Sequence, residues 1–558
     1  MAPKIKVYKD FGDRMNNLLH TPDGVRDIYD KDYLLKYKTE NMISEVFHEA
    51  GYKDIKTPTL EYYDVFGDEV GTTPRNNLYK FDDRNGDTVV LRPDFTPSIA
   101  RCAAKYFMED DDTLRFTYKG DTFSQTASLQ GKLVETTQMG VELIGENEVW
   151  ADAEVLDLSI KALLATGLSH FNVTIGNIEY FKGLCEEFGF DEETELALRD
   201  LITNKNFFGA RKYLEDICAD ETVIEKVCKL DMLIGGKNVL NEAEKLASNP
   251  RSKAAISHLR ELSLMLEKKG YGEYIYFDLS MLNKYKYYTG VVFKAYTYGV
   301  GDCILKGGRY DNLLGKFGKE SPAIGFVIMI DDLISALSSP MASETREYLT
   351  FALTKGRLAK KTLELLEQLG ITCDEMKEDT RKLIFVNEEL KLKFFLAKGP
   401  DVPTYVEYGA ADIGVVGKDT IMEEDRRVYE VLDLGFGKCR MCVCGPKSAK
   451  ELLKHHDQIR VCTKYPAIAK NYFYNEKHQT VELIKLNGSV ELGPIVGLGD
   501  VIVDIVETGS TLRENGLDVL EEICPLSARM IVNQVSMQMQ PARIKELIAK
   551  LREIISED

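Results

Sequence analysis

Residues 500–517 read DVIVDIVETGSTLRENGL, and the fold of the last part of the chain turns on them. DVIVDIV is an apolar run of strand length that ends in two carboxylates, Asp504 and Glu507. The small residues Thr508, Gly509, Ser510 and Thr511 follow, before a helical pattern. Such a loop aims backbone amides and hydroxyls at one point, the arrangement that cradles a phosphate, and the acids beside it suit ribose hydroxyls or a magnesium ion. An ordinary strand-to-helix turn capped by threonine has the same local pattern, so TGST alone leaves both readings open. The flanking acids favour the phosphate site.

Outward from this loop, YLTFAL, KLIFV, KFFLA, DIGVVG, MCVCG, IRVCT and VELIKL are short apolar runs, several alternating with helical patterns such as KKTLELLEQLG. That alternation predicts α/β layers with substantially parallel sheets. The clearest break in the chain is ISALSSPMASETREYL, which places a domain boundary near Glu344. Before it come helical stretches such as KDYLLKYKTENMISEVFHEAG and strand-like TVVLRP and GVVFKAY. Residues 182–269 are mostly helical in pattern and read as an insertion or a helical subdomain. No internal repeat or low-complexity tract is evident.

A chain of 558 residues exceeds what one core usually holds, and 44% hydrophobic with 29% charged residues is the balance of a globular protein. Its formal net charge of -19 argues against an extended nucleic-acid footprint, which needs cations to neutralise phosphates. No window reaches the length of apolar sequence a membrane span needs, and the opening MAPKIKVYKDFGDRMNNLLH lacks a signal-peptide core, so a cytoplasmic protein with no membrane partner is expected. Eleven scattered cysteines read as reduced thiols. In CRMCVC, strand geometry puts Cys442 and Cys444 on one face and Cys439 on the other, which disfavours a metal site. The single Trp150 and the tyrosine-rich stretch from Tyr271 to Tyr298 are expected to serve core and sheet packing.

The loop at 504–511, together with LTKGRLAKKTLELLEQLG, RKLIF, DVPTYVEYGAADIGVVGKD, YEVLDLGFGKCR, TKYPAIAKNYF, NGSVELGPIVGLGD and ARMIVNQVS, resembles the ATP phosphoribosyltransferase family in order from about Glu347 to Asp558. The length is similar to the short form of that family, which depends on a separate synthetase-like subunit. The resemblance implies a two-lobed α/β transferase of periplasmic-binding-protein type, with lobe I at about 347–436 and 528–558 and lobe II at about 437–527. It also implies magnesium-dependent attack by N1 of the adenine of ATP on the anomeric carbon of phosphoribosyl pyrophosphate, with magnesium held mainly through substrate. Lys355, Arg357, Arg381 and Lys398 match basic positions of the family's cleft. Read singly, each is an ordinary surface charge. Lys398 departs from the arginine of many relatives, and an ammonium lacks the guanidinium fork. By the same resemblance Asp504, Glu507, Thr508, Gly509, Ser510 and Thr511 bind phosphoribosyl pyrophosphate, and Gly488, Ser489 and Glu491 of NGSVELGP face the nucleotide. DIGVVGKD, 412–419, has a supporting role.

After an extension at 1–20, residues 21–343 carry TPDGVRDIYD, LRPDFTPSIAR, TQMGVELIG, YKYYTGVVFKAY and GGRYDNLLGKFGKESPAIGFVI, which together resemble the catalytic core of histidyl-tRNA synthetase. A class II synthetase-like antiparallel-sheet domain is therefore expected, with no anticodon-binding domain behind it and no tRNA partner. Three departures bear on its chemistry. Ser124 replaces the arginine that holds the ATP α-phosphate, Asn283 replaces the arginine before the double tyrosine, and acid around Asp332 replaces the arginine of the third motif. Losing three cations from a site that stabilises an adenylate makes adenylation improbable. The matching amino-acid pocket is retained: Asp94, Thr96, Gln138, Glu142, Tyr287 and Tyr288 offer carboxylates for an ammonium and an imidazole N–H, with hydroxyl partners beside them. These residues are equally readable as satisfied core polar groups.

A retained binder without the catalyst is similar to the regulatory subunit of the transferase. The chain then reads as a fusion of regulatory and catalytic subunits, inhibited by histidine and self-associating as a homo-oligomer. A functioning synthetase with an appendage and a non-catalytic binding protein are the competing readings.

Overall fold

The runs LRFTYKGDTF and ETTQMGVELI, rich in aromatic and β-branched residues, form strands Leu114–Phe123 and Glu135–Ile144, paired antiparallel with Phe116 opposite Glu142. The computed structural model describes residues 19–557 apart from 68–69, 71–72, 110–111, 127–129, 218, 283–286, 341–345, 378–381 and 456–457. Arg381, Asn283, the boundary residue Glu344 and nearly all of the extension 1–20 thus lie outside the described residues. The chain forms two units, one of residues 1–190, 236–299 and 303–343, the other of residues 191–235, 300–302 and 344–558.

In the first unit a large sheet has strands beginning, in spatial order, at Lys53, Leu114, Glu135, Ala323, Leu305, Val291, Asn172 and Ile275. Among these strands the pairs are antiparallel except Lys53–Asp54 with Leu114–Phe123 and Asn172–Asn177 with Ile275–Asp278, which run parallel. Helix Val149–Ala165 is mostly apolar and mostly buried. Helix Ile178–Phe188 starts at Asn177, whose side chain accepts from the Glu179 amide, and stops at Gly189, which takes the left-handed conformation at φ 70°. Trp150 departs from the expected core role: it is 38% exposed, with the Arg115 guanidinium 5.9 Å from its ring centre. As the second residue of helix Val149–Ala165 it lies at the helix's open end.

The second unit holds two sheets. The first has strands beginning, in order, at Ile384, Leu392, Leu349, Ile413, Ala528 and Tyr429, and the second at Val481, Ile459, Val501, Cys439 and Asp518. Leu349–Thr354 runs parallel to both its neighbours, as does Ile459–Thr463, and the remaining pairs are antiparallel. The chain crosses from one sheet to the other between Asp433 and Cys439 and returns between Leu526 and Ala528. Each sheet has its own apolar core, around Phe351, Phe394 and Ile544 in one and Val443, Phe473 and Val503 in the other.

The helical stretch 182–269 is divided between the units: helix Pro250–Lys268 belongs to the first, and helices Glu192–Thr203, Phe207–Asp216 and Glu221–Cys228 to the second. Each of these three helices starts at a capping side chain, Asp191, Asn206 and Asp220 respectively. No helix among the described residues is long and apolar enough to cross a membrane.

Candidate functional site

The loop after Val501–Val506 is held open by glycine. Gly509 has φ 70°, a conformation that costs an L-residue, and it turns the chain into the short helix Ser510–Glu514. Glu507, Thr508, Ser510 and Thr511 are exposed there. The Thr508 and Ser510 hydroxyls lie 3.0 Å apart, so both are presented on one side of the turn.

Opposite the loop are the ends of the parallel strands in the other sheet. Thr354 and Ala397 are register partners, so the next residues, Lys355 and Lys398, extend from neighbouring strand ends as exposed cations. This is where α/β sheets bind anionic ligands. Arg357 begins the following helix and pairs with Glu507 at 3.2 and 3.3 Å, connecting the loop to the facing sheet. With 64% and 53% of the two side chains exposed, the pair contributes at most about 1 kcal/mol, so a phosphate can take over the guanidinium at little cost.

Asp504 sits deeper. Burial pushes its carboxyl up, opposed by a hydrogen bond from the Ile505 amide, and Glu491 nearby raises it further while Lys464 lowers it. Ser489 takes φ 47° two residues before Glu491, and Glu491 comes near Asp504, with Gly488 and Ser489 in the turn before it. Asp419, Lys464 and Tyr465 also converge here. Burial raises Asp419, with Lys464 and a hydrogen bond to Tyr465 opposing it. Their sequence signal, the GKD and TKYP turns, carries no distinctive spacing and becomes a site only when the two sheets face each other. Asp412, at the other end of DIGVVGKD, is structural: fully buried, it accepts from Arg346, the Thr350 amide and Ser536 at 2.6–2.8 Å.

CRMCVC forms strand Cys439–Gly445, with Cys442 and Cys444 in one apolar core and Cys439 against the other. Among the described residues no group of three or more His, Cys, Asp or Glu is placed to hold a metal ion.

In the first unit, Asp94 precedes helix Thr96–Tyr106 and accepts from the Phe95 amide at 2.7 Å. Thr96 Oγ1 donates to Glu142 Oε1 at 2.7 Å, and the Tyr310 hydroxyl donates to Glu142 Oε2. Tyr287 and Tyr288 close the wall with ring centres 4.2 Å apart. The space enclosed is about 20 Å³, room for roughly one water, so an amino acid enters only as these side chains move. Gln138 is buried but does not line this cavity, although it shares a strand face with Glu142; among the described residues its Oε1 has no hydrogen-bond partner. Tyr310, inside GGRYD, is a site residue that motif reading left out.

Burial pushes the Glu142 carboxyl up to about 8, against the hydrogen bonds from Tyr310 and Thr96 and with help from Asp94. A carboxyl raised above its unfolded value near 4.5 binds more protons folded than unfolded, so its contribution is present below that value and lost as pH rises through about 8. Thermal melts are expected to show stability falling over this window, and Glu142→Gln should flatten that part of the profile. An unchanged slope in the variant would assign the pH dependence elsewhere.

Two of the departures fall among the described residues, Asn283 lying outside them. Ser124 donates its amide to the Val134 carbonyl at 3.0 Å. Beside Asp332, Asp331 is buried and accepts from Arg26 at 3.0 Å and from the Thr137 amide at 2.8 Å.

A phosphate-type loop with flanking acids, facing cations at parallel strand ends, is the mark of a phosphoribosyl-type transferase, here on one chain with a class II synthetase-type sheet. Residues 24–333 match the histidyl-tRNA synthetase family and residues 398–553 the ATP phosphoribosyltransferase family. The ATP phosphoribosyltransferase of Lachnoclostridium phytofermentans is 76% identical over 212 residues, 38% of this chain and 99% of that protein. The ATP phosphoribosyltransferase regulatory subunit of Acetivibrio thermocellus is 41% identical over 319 residues, 57% of this chain and 76% of its own length. A crystal structure described as an ATP phosphoribosyltransferase regulatory subunit/histidyl-tRNA synthetase, from Bacillus halodurans, aligns with TM-score 0.54 and 30% identity, covering 68% of this chain and 99% of that one. The chain belongs to the ATP phosphoribosyltransferase family, joining a catalytic part to a part of the histidyl-tRNA synthetase family.

Proposed function

We propose that the chain transfers the phosphoribosyl group of phosphoribosyl pyrophosphate to N1 of the adenine of ATP, releasing pyrophosphate and opening histidine biosynthesis. The observation that carries this reading is the glycine-turned loop at 504–511 standing across from Lys355, Arg357 and Lys398. In the displacement a bond forms between adenine N1 and the anomeric carbon as the bond from that carbon to the diphosphate oxygen breaks. Lys355, Lys398 and Arg357 are placed to receive the charge growing on the leaving diphosphate. The Thr508–Thr511 loop takes the 5-phosphate, Asp504 and Glu507 hold the ribose hydroxyls, and Gly488, Ser489 and Glu491 border the adenine nucleotide. Glu491 stands close enough to Asp504 to raise that carboxyl, and the two carboxylates are a donor set that suits magnesium arriving with the diphosphate. When bound, magnesium neutralises diphosphate charge. The two sheets, crossed twice by the chain, support the two-lobed periplasmic-binding-type architecture.

Histidine is the proposed inhibitor, held by Asp94, Thr96, Glu142, Tyr287 and Tyr288, in a cytoplasmic homo-oligomer without tRNA. Support comes from the convergence of these side chains on one cavity and from the loss of the adenylating cations. The test pairs titration of phosphoribosyl pyrophosphate with histidine-driven ATP–pyrophosphate exchange on the full chain. Saturable binding without exchange is expected. Exchange would restore the synthetase reading, and absence of binding would favour a non-catalytic binding protein.

A further inference from the structure

Residues 191–235 lie within the stretch matched by the synthetase family, yet they pack as part of the transferase unit. The contacts are specific. Lys545, buried in helix Pro541–Glu557, donates to the carbonyls of Met232 and Ile234 at 2.5 and 3.0 Å. Arg552, two turns further along that helix, pairs with Asp231 at 2.7 Å. The Arg529 guanidinium sits 4.7 Å from the ring centre of Phe208 in helix Phe207–Asp216, and the Lys205 ammonium 5.9 Å from that of Tyr429.

Arg529 also leads toward the cleft. It lies 3.4 Å from Glu430 and 2.8 Å from Asp433, and the other oxygen of Glu430 accepts from Lys418 at 2.5 Å. Lys418 opens helix Lys418–Glu424, which carries Asp419 into the cleft. At its far end, Glu423 accepts from the Ala467 and Ile468 amides of the facing lobe at 3.0–3.2 Å. A shift of Phe208 therefore bears, through two ion pairs, on a helix that joins both lobes.

On the other side the segment is covalently continuous with the amino-acid pocket's unit. Tyr288 of the pocket wall packs on the cluster containing Ile178, the first residue of helix Ile178–Phe188, and that helix ends at Gly189 immediately before the segment.

We propose that residues 191–235 are the docking surface through which the synthetase-like part acts on the transferase, with the Phe208–Arg529 contact transmitting the state of the pocket to the cleft. The partner is the transferase sheet edge formed by Tyr429–Asp433 and Ala528–Val532 of the same chain. This rests on the histidine-regulated reading above. A structural packing role alone would leave inhibition unchanged when the contact is softened, whereas a coupling role moves it.

The test uses the full chain with Phe208→Leu, which keeps apolar bulk and removes the ring face, and with Lys545→Met as a second, independent loosening of the same surface. Histidine binding is measured by calorimetry and inhibition by phosphoribosyl-ATP formation. The expected result is histidine affinity and basal turnover close to the unsubstituted chain, with the half-inhibitory histidine concentration raised about fivefold or more. Inhibition curves that superimpose on the unsubstituted chain in both variants overturn the proposal. An unsubstituted chain that makes product but ignores histidine overturns the regulatory reading itself, and is seen before any variant is made.

Discussion

Asp504→Asn is expected to lower kcat/KM for phosphoribosyl pyrophosphate by about 10²–10³-fold, the scale of removing one well-placed electrostatic group from a transition state. Asp504 is half-buried at the strand end, accepts from the Ile505 amide at 2.8 Å and lies near Glu491. The amide keeps the shape but loses the charge proposed to hold ribose hydroxyls or a magnesium–diphosphate. Glu507→Gln, by contrast, alters an exposed group whose ion pair with Arg357 is weak, and should cost about tenfold or less. Steady-state kinetics on the two variants separate them. Equal losses would mean that depth in the cleft does not decide the role.

Gly325→Ala has the second large effect. A Cβ there would stand 1.7 Å from Glu142 Oε2 and 2.5 Å from the Val141 carbonyl oxygen, mid-strand, with Gly325 register-paired to Glu142. Neither strand can retreat without breaking its ladder, so the carboxylate must leave its place between Thr96 and Tyr310, stranding two buried hydroxyls. Overpacking and the lost hydrogen bonds together should destabilise the first unit by about 3 kcal/mol and abolish the histidine response, while transferase turnover persists. Calorimetric melting with and without histidine checks both. A variant that melts with the unsubstituted chain and still responds to histidine would show that Glu142 is not the pocket's anchor.

What the sequence disclosed depended on whether a feature was local. DVIVDIVETGSTL could be read as strand, acid pair and glycine turn because each step rests on neighbouring residues, and φ 70° at Gly509 is the conformation that turn requires. The Arg357–Glu507 pair spans a hundred and fifty positions and had no sequence signal. Asp419, Lys464 and Tyr465 were likewise invisible as a group, since they come from the ends of different strands in two sheets. DIGVVGKD read as a segment with a supporting role, without distinguishing its acids, but Asp412 is a buried anchor and Asp419 reaches the cleft. Composition was uniform along 182–269, so the pattern held no hint that 191–235 packs with the later unit. Trp150 followed the general preference of tryptophan for burial, and its position in the first turn of a helix left it exposed.

The most direct measurement of the central claim is phosphoribosyl-ATP formation by the full chain with ATP, phosphoribosyl pyrophosphate and magnesium, with and without histidine. Product that falls as histidine is added is the predicted result, because one part carries the cleft and the other the proposed amino-acid pocket. No product under these conditions would contradict the account at its base, and product indifferent to histidine would leave a transferase whose synthetase-like part has some other work.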